Sequence, residues 1–242
     1  MKTEIAECCK KLRLSKNIAA NCEQVEAESH QEYLLKVLQN ELEYRQSARK
    51  NRLIKQAGFY GLKTFSGYCF DEIKLPTELS TATLTTAAFV AEKKNLICYG
   101  NVGTGKTHLA TAIGVEACKR GYKVRFFRTA GLVNQLSDAQ KKGELNKFLN
   151  QLSKAELLIC DEWGYVPLDR DGSKLLFQVI SECYEQKSVI ITTNLEFSKW
   201  VHVFYDEQMT TAMIDRLVHH GYLLIFDGQS YRIKNSLMKT DT

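Results

Sequence analysis

The chain has 242 residues, of which 44% are apolar and 25% charged, the proportions of a globular protein with room for one domain of ordinary size and a smaller one. No run approaches the length of a transmembrane helix, and the amino terminus, MKTEIAECCKK, lacks the apolar centre of a signal peptide, so no membrane partner is expected and the cytoplasm is the expected compartment. A net charge of +5 permits binding to nucleic acid without demonstrating it. The eight cysteines show no C-x-x-C spacing and are expected to be buried thiols, neither metal ligands nor disulfides.

Residues 1–57 read as a small all-helical amino-terminal domain. Ile5, Cys8, Cys9 and Leu12 recur at helical spacing, as do Leu34, Leu35, Leu38 and Leu42. Ser29 with Glu32 forms a capping box at the start of a long helix predicted to run through Lys55 and stop before Gly58. On it Arg45, Arg49 and Arg52 gather toward one side, either as a solvated face or as contacts for the DNA backbone. Residues 58–84 lose periodicity and form an aromatic-rich connector, including Phe59, Phe65, Tyr68 and Phe70. Its rings suit ordinary packing or an adenine pocket.

From Leu84 onward strand and helix patterns alternate, which predicts an α/β domain over 85–242 with a five-stranded parallel sheet between helices. The predicted strands are Leu96–Tyr99, Val124–Arg128, Leu157–Cys160, Val189–Thr192 and Leu223–Phe226. The predicted helices include His108–Lys119, Ala130–Lys142, Gly172–Gln186 and Met209–His219. Ligand is expected at the carboxyl ends of the strands.

Directly after the first of these strands stands Gly100-Asn101-Val102-Gly103-Thr104-Gly105-Lys106-Thr107, which fits the phosphate-binding pattern G-x-x-x-x-G-K-[ST]. The glycines let the backbone approach a polyphosphate, and successive N–H groups then face the negative charge at a helix start. Lys106 is placed to reach the β and γ phosphates of ATP and Thr107 to ligate Mg²⁺, with His108 counted in the nucleotide site. Leu157-Leu158-Ile159-Cys160 ends in Asp161 and Glu162, the Walker B arrangement. Asp161 would hold the metal through its water shell, and Glu162 would orient and activate the attacking water. Asn194, just past a later strand, is either a turn residue or a group that bonds the lytic water or the γ phosphate. Arg216 on the last long helix either completes a neighbouring subunit's site or makes a surface ion pair; Arg232 is a second candidate for contact with phosphate or with a partner subunit.

With these residues assembled, the chain resembles the IstB-type helper ATPases of insertion sequences and, more distantly, the DnaC-type helicase loaders and DnaA-type initiators of the AAA+ superfamily. The likeness covers Arg45 to Ala57, Lys63-Thr64-Phe65, GTGKTHLATAIG from Gly103, LLICDEWGYVPLD from Leu157, ITTN, Trp200 and, most specifically, AMIDRLVHHGYLLIFDGQSYR from Ala212 to Arg232. The resemblance implies an AAA+ P-loop NTPase core with a reduced or absent lid, in keeping with the short tail after Arg232. It also implies self-assembly with ATP on double-stranded DNA and delivery of target DNA to the transposase of the same element. On the matching positions Arg216 resembles the trans-acting arginine finger and Asn194 sensor 1. Lys141, Lys142 and Lys147 are further candidates for DNA. Trp163 stands where the family usually has a smaller aliphatic residue, Phe204-Tyr205-Asp206 replaces a frequent Gly-Asp, and the phosphate loop lacks a proline that many relatives carry. Two other functions share this core: a helicase loader for replication, and a nucleotide-gated DNA clamp with negligible turnover, against which Glu162 speaks.

Overall fold

Residues Met1–Lys234 are described by the computed structural model, which divides into a unit Met1–Arg52 and a second that begins at Leu53. Most of the tail after Arg232 lies outside the described residues. The first unit holds α1 (Lys2–Lys11), α2 (Asn17–Asn21) and most of α3 (His30–Ala57). The expected cap starts α3: the Ser29 hydroxyl accepts from the Glu32 N–H at 3.1 Å, and the Glu32 carboxylate accepts from the Glu28 N–H at 2.9 Å. Gly58, at φ 83°, ends it.

One buried carboxylate organises this unit. Glu41, 5% exposed, accepts the Ser15 N–H at 2.8 Å, the Ser15 hydroxyl, and Arg45 Nε at 2.7 Å. Burial pushes its affinity for a proton up, but the bonds from Ser15 and Arg45 outweigh that and hold the carboxyl below its ordinary value. Arg45 also donates to the Arg13 carbonyl. The basic stripe is therefore divided: Arg45 is committed to Glu41, while Arg49 and Arg52 are exposed.

The second unit is built on β1 (Ile73–Lys74), β2 (Asn95–Gly100), β3 (Val124–Arg128), β4 (Leu157–Asp161), β5 (Ser188–Thr193) and β6 (Gly221–Phe226). Its helices are α4 (Thr81–Thr85), α5 (Lys106–Lys119), α6 (Thr129–Lys141), α7 (Leu145–Ser153), α8 (Arg170–Cys183), α9 (Val201–Phe204), α10 (Glu207–His219) and α11 (Tyr231–Lys234). The sheet order is β1-β6-β2-β5-β4-β3. All five predicted strands are present and parallel. The sheet has six strands, however, because β1 adds antiparallel to β6, Ile73 opposite Phe226 and Lys74 opposite Ile225. Two residues are too few to show the alternation by which a strand is recognised.

Side chains alternate across the strands and so divide the core in two. Ile97, Leu158, Cys160, Val189 and Ile191 pack on one face with α6, α8 and α10 residues such as Leu132, Leu176 and Met213. Leu96, Cys98, Leu157, Ile159 and Ile190 pack on the other with α5 and the aromatic connector, whose Phe59, Phe65, Tyr68 and Phe70 all reach this layer. Helices on both faces complete an α/β fold with a mostly parallel sheet.

Two of the departures noted in the sequence meet in the first layer. The Trp163 and Phe204 rings lie 5.4 Å apart and both are buried, with Trp200 5.3 Å from Trp163. A large residue at one position fills space beside a large residue at the other, as dense packing requires. The cysteines are all free thiols. Burial pushes Cys98, Cys118 and Cys183 up to about 12 and also raises Cys160, whereas Cys8 and Cys69 are exposed. No helix among the described residues is long and apolar enough to cross a membrane.

Candidate nucleotide site

At the carboxyl end of β2 the chain leaves the sheet through a turn that only glycine fits. Gly100 has φ 151°, and a Cβ there would stand 2.2 Å from the Phe226 carbonyl oxygen on β6. Gly103, at φ 83°, is pressed by the segment after β6: a Cβ would stand 2.1 Å from Ser230 Oγ, and the Tyr231 N–H donates to the Gly103 carbonyl at 3.0 Å. Gly105 then opens α5 in a left-handed conformation.

Lys106 lies over its own loop, donating to the Gly100 and Asn101 carbonyls at 2.7 and 2.6 Å. Burial lowers the proton affinity of its ammonium, Asp161 opposes that shift and the charge of Arg232 adds to it. Arg232 directly follows Tyr231, whose N–H is bonded to the phosphate loop. Asn101 and Val102 are exposed at the loop tip, and Thr104 donates to the Asn101 carbonyl at 2.8 Å.

The loop and the acidic strand tip meet through hydroxyls. Asp161, 3% exposed, accepts on Oδ1 from Thr107 at 2.8 Å and from Thr192 at 2.5 Å. Thr192 also accepts the Glu162 N–H at 3.1 Å, and Thr129 donates to the Asp161 carbonyl at 2.9 Å. A hydroxyl and a carboxylate in contact, beside a lysine with one ammonium proton left over, are the hard oxygen donors and charge that Mg²⁺ and a polyphosphate take. The residues fit both groups.

Glu162 differs from its neighbour in every respect. Its side chain is exposed, its backbone is left-handed at φ 58°, and its carboxylate meets Arg128 Nε at 3.4 Å. Non-glycine residues held in that conformation concentrate at functional sites. Arg128 in turn lies over the Tyr60 ring, 4.4 Å from its centroid.

Of the remaining candidates, Asn194 follows β5 and is exposed, without a hydrogen-bond partner among the described residues. His108 faces the connector: its Nε2 bonds the Thr64 carbonyl at 2.8 Å and its ring lies 4.9 Å from that of Tyr68. The Tyr68 hydroxyl donates to the Gly105 carbonyl at 3.4 Å, so the connector wraps the start of α5. Lys141 and Lys142 are exposed at the far end of α6, about 18 Å along the helix from Thr129. Lys147 pairs with Glu144 at 3.2 Å.

Arg216 stands apart. It is one turn from His220, whose carbonyl accepts the N–H of Asn95, the first residue of β2, at 2.7 Å. The phosphate loop begins where β2 ends, five residues on at about 3.3 Å each, so Arg216 sits at the opposite end of the sheet from the Lys106 of its own chain. There it donates to the Ala212 carbonyl at 2.8 Å and lies 5.3 Å from the Phe177 ring centroid.

Thr192, Arg128, Tyr68 and Ser230 were not singled out for these contacts by sequence reasoning. Each enters the site by tertiary approach, and only Thr192, a hydroxyl beside a predicted strand tip, carried a signal that could have found it.

A mostly parallel sheet of this order, with a phosphate loop after β2 and an acidic pair after β4, defines a P-loop NTPase core of the AAA+ type. The family described as IstB-like ATP binding protein matches residues 8–239, and the chain belongs to that family. It is 36% identical to the insertion sequence IS5376 protein of Geobacillus stearothermophilus over 100% of this chain and 98% of that one. It is also 36% identical to the insertion sequence IS21 protein of Pseudomonas aeruginosa, over 85% of this chain and 78% of that one. Among solved structures, the DnaC helicase loader superposes with a TM-score of 0.53 at 26% identity, covering 67% of this chain and 96% of that chain. DnaI gives 0.55 at 22% identity over 70% and 90%, a likeness of fold.

Proposed function

We propose that this chain is a magnesium-dependent ATPase that assembles with copies of itself on duplex DNA and assists a transposase in choosing the target of an insertion sequence. The observation that carries the ATPase reading is the bonding of Asp161 to both Thr107 and Thr192, which joins the phosphate loop to the acidic strand tip with Glu162 beside it. In this reading the loop N–H groups and Lys106 hold the phosphates of ATP, Thr107 and Asp161 hold the metal, and Arg232 lies within reach of the same phosphates. The metal, when bound, supplies charge neutralisation at the phosphate oxygens. Glu162 takes a proton from the attacking water, and Asn194 orients that water.

Self-assembly is supported by the position of Arg216. An arginine at the far end of the sheet is useless to its own phosphate loop but available to a neighbour's, and such a head-to-tail contact builds a ring or a filament. Residues 1–57 would then serve as the domain for partner or DNA, 58–84 as a connector and 85–242 as the ATPase, in the cytoplasm. The exposed Arg49, Arg52, Lys141 and Lys142 are the cations offered to DNA phosphates, while Arg45 contributes through the shape of the helical unit. Membership of a family whose relatives are named for insertion sequences supports the transposase as partner.

The test is electron microscopy and phosphate release with random duplex, with and without ATP. ATP-dependent multi-subunit assemblies on duplex that weaken steeply with salt, and that Arg216→Ala abolishes, are expected. The likeness to the DnaC helicase loader favours a second reading, loading of a replicative helicase. Binding restricted to single strands, with capture of a hexameric helicase, would replace the first reading by the second.

A further inference from the structure

The block Ala212–Arg232 includes two adjacent histidines for which the nucleotide chemistry has no use. His219 ends α10, and His220 is the residue that turns the chain into β6. Opposite them, in the turn between α8 and β5, Glu185 sits at φ 56° with its carboxylate 3.1 Å from His220 Nε2. The Tyr184 hydroxyl bonds His219 Nδ1 at 2.9 Å, which leaves the other ring nitrogen unspent. One donor atom from each of Glu185, His219 and His220 lies within 4.8 Å of the other two.

The backbone under this cluster is bolted down. Asn95, 6% exposed, donates from its side chain to the Leu217 carbonyl at 3.1 Å and from its backbone to the His220 carbonyl at 2.7 Å, and it accepts the Val189 N–H at 2.9 Å. One side chain thereby fixes the end of α10 to the start of β5. The turn has room for nothing larger than Gly221, where a Cβ would stand 2.4 Å from the Leu217 carbonyl oxygen. In the same turn, the buried Lys187 ammonium donates to the Leu152 and Ser153 carbonyls, both at 3.0 Å, and makes no ion pair with the Glu185 carboxylate among the described residues.

We propose that Glu185, His219 and His220 form a binding site for a divalent transition-metal ion of the zinc class, at the end of the sheet opposite the phosphate loop. Two imidazoles and one carboxylate are the donor set of open zinc sites, which keep a fourth position for water. Tetrahedral coordination spaces donors by roughly 3.3 Å; the His220–Glu185 pair is already at 3.1 Å. The exposed Glu185 side chain is free to shift and close the remaining gap. The carboxyl end of α10 turns its partial negative charge toward the ion. Tyr184 is a positioning residue, fixing the His219 ring as outer partners of ligating histidines do.

The test uses the full chain without a histidine tag. Cobalt(II) is titrated in as a coloured substitute for zinc, and zinc affinity is measured against a chromophoric chelator. One equivalent of cobalt is expected to give the visible bands of a nitrogen and oxygen site, to be displaced by zinc, and to be lost in His219→Ala and Glu185→Gln. Tyr184→Phe is expected to weaken zinc about tenfold. Glu185→Gln preserves size at an exposed position, so it remains informative should the histidine variant misfold. Absence of binding, retention of the equivalent by either ligand variant, or the intense near-ultraviolet charge-transfer band of thiolate ligation overturns the site.

Discussion

The two ends of one sheet are finished in opposite ways. At the carboxyl end, Asp161 is buried and held from three sides: Thr107 and Thr192 bond its side chain and Thr129 its backbone, while Lys106 lies on the carbonyls of its own loop. At the amino end, Asn95 bolts the backbone from within while Glu185, His219 and Arg216 face outward or half outward. Strand β2 runs between them, with Asn95 at one end and Gly100 at the other. The contrast teaches that preorganisation and availability are separate provisions: one end is set for a small charged ligand, while the other holds its backbone rigidly and leaves its side chains accessible.

The comparison is broken most severely by variants that remove the reacting groups from one end at a time. Arg216→Ala is expected to cut hydrolysis in the presence of duplex DNA about 10³-fold. Mixing it with Lys106→Ala should restore part of the turnover, because each subunit supplies the half-site that the other lacks. Full activity of Arg216→Ala alone would sink the trans assignment. Glu162→Gln should lower phosphate release about 10²-fold with nucleotide affinity kept, as single-turnover and binding assays would show.

Smaller effects sharpen the contrast. Asn95→Ala leaves the Val189 N–H and the Leu217 carbonyl without their partner, at a cost of about 2 kcal/mol in chemical denaturation, with the loss of exchange protection centred on Val189. Thr192→Val keeps the shape but removes the donor to Asp161, costing about 1 kcal/mol and slowing turnover several-fold without raising KM for the nucleotide.

The helical unit supplies a second buried carboxylate for comparison with Asp161. Glu41 is held below its ordinary value of 4.5, so its contribution to stability is complete above that pH and is lost as pH falls through the lower folded value. Circular-dichroism melting should show wild type losing more stability than Glu41→Gln across that acid window; equal losses would remove Glu41 as the cause.

Much of the carboxyl end was legible in the sequence. Apolar runs ending in Gly100 and in Asp161 are patterns whose chemistry is local, and alternation of strand and helix supplied the five parallel strands. What escaped was nonlocal or too short. β1 is two residues long, and α7 (Leu145–Ser153) went unassigned although Leu145, Phe148, Leu149 and Leu152 stand at helical spacing. Thr192 read as one more β-branched strand residue, Arg128 as the end of another strand, and Asn95 as nothing in particular. Their roles arise only when β3, β4 and β5 lie side by side and α10 returns to β2. Trp163 and Phe204 illustrate the same limit: as separate oddities of sequence they were unexplained, and as neighbours in the core they account for each other.

The uneven burial of the thiols has a practical outcome. Cys98, Cys118, Cys160 and Cys183 are enclosed and keep their protons at neutral pH, while Cys8 and Cys69 lie open to solvent. A maleimide dye should therefore tag the first helix and the connector of the native chain ahead of the core, with the half-exposed Cys22 reacting between the two classes.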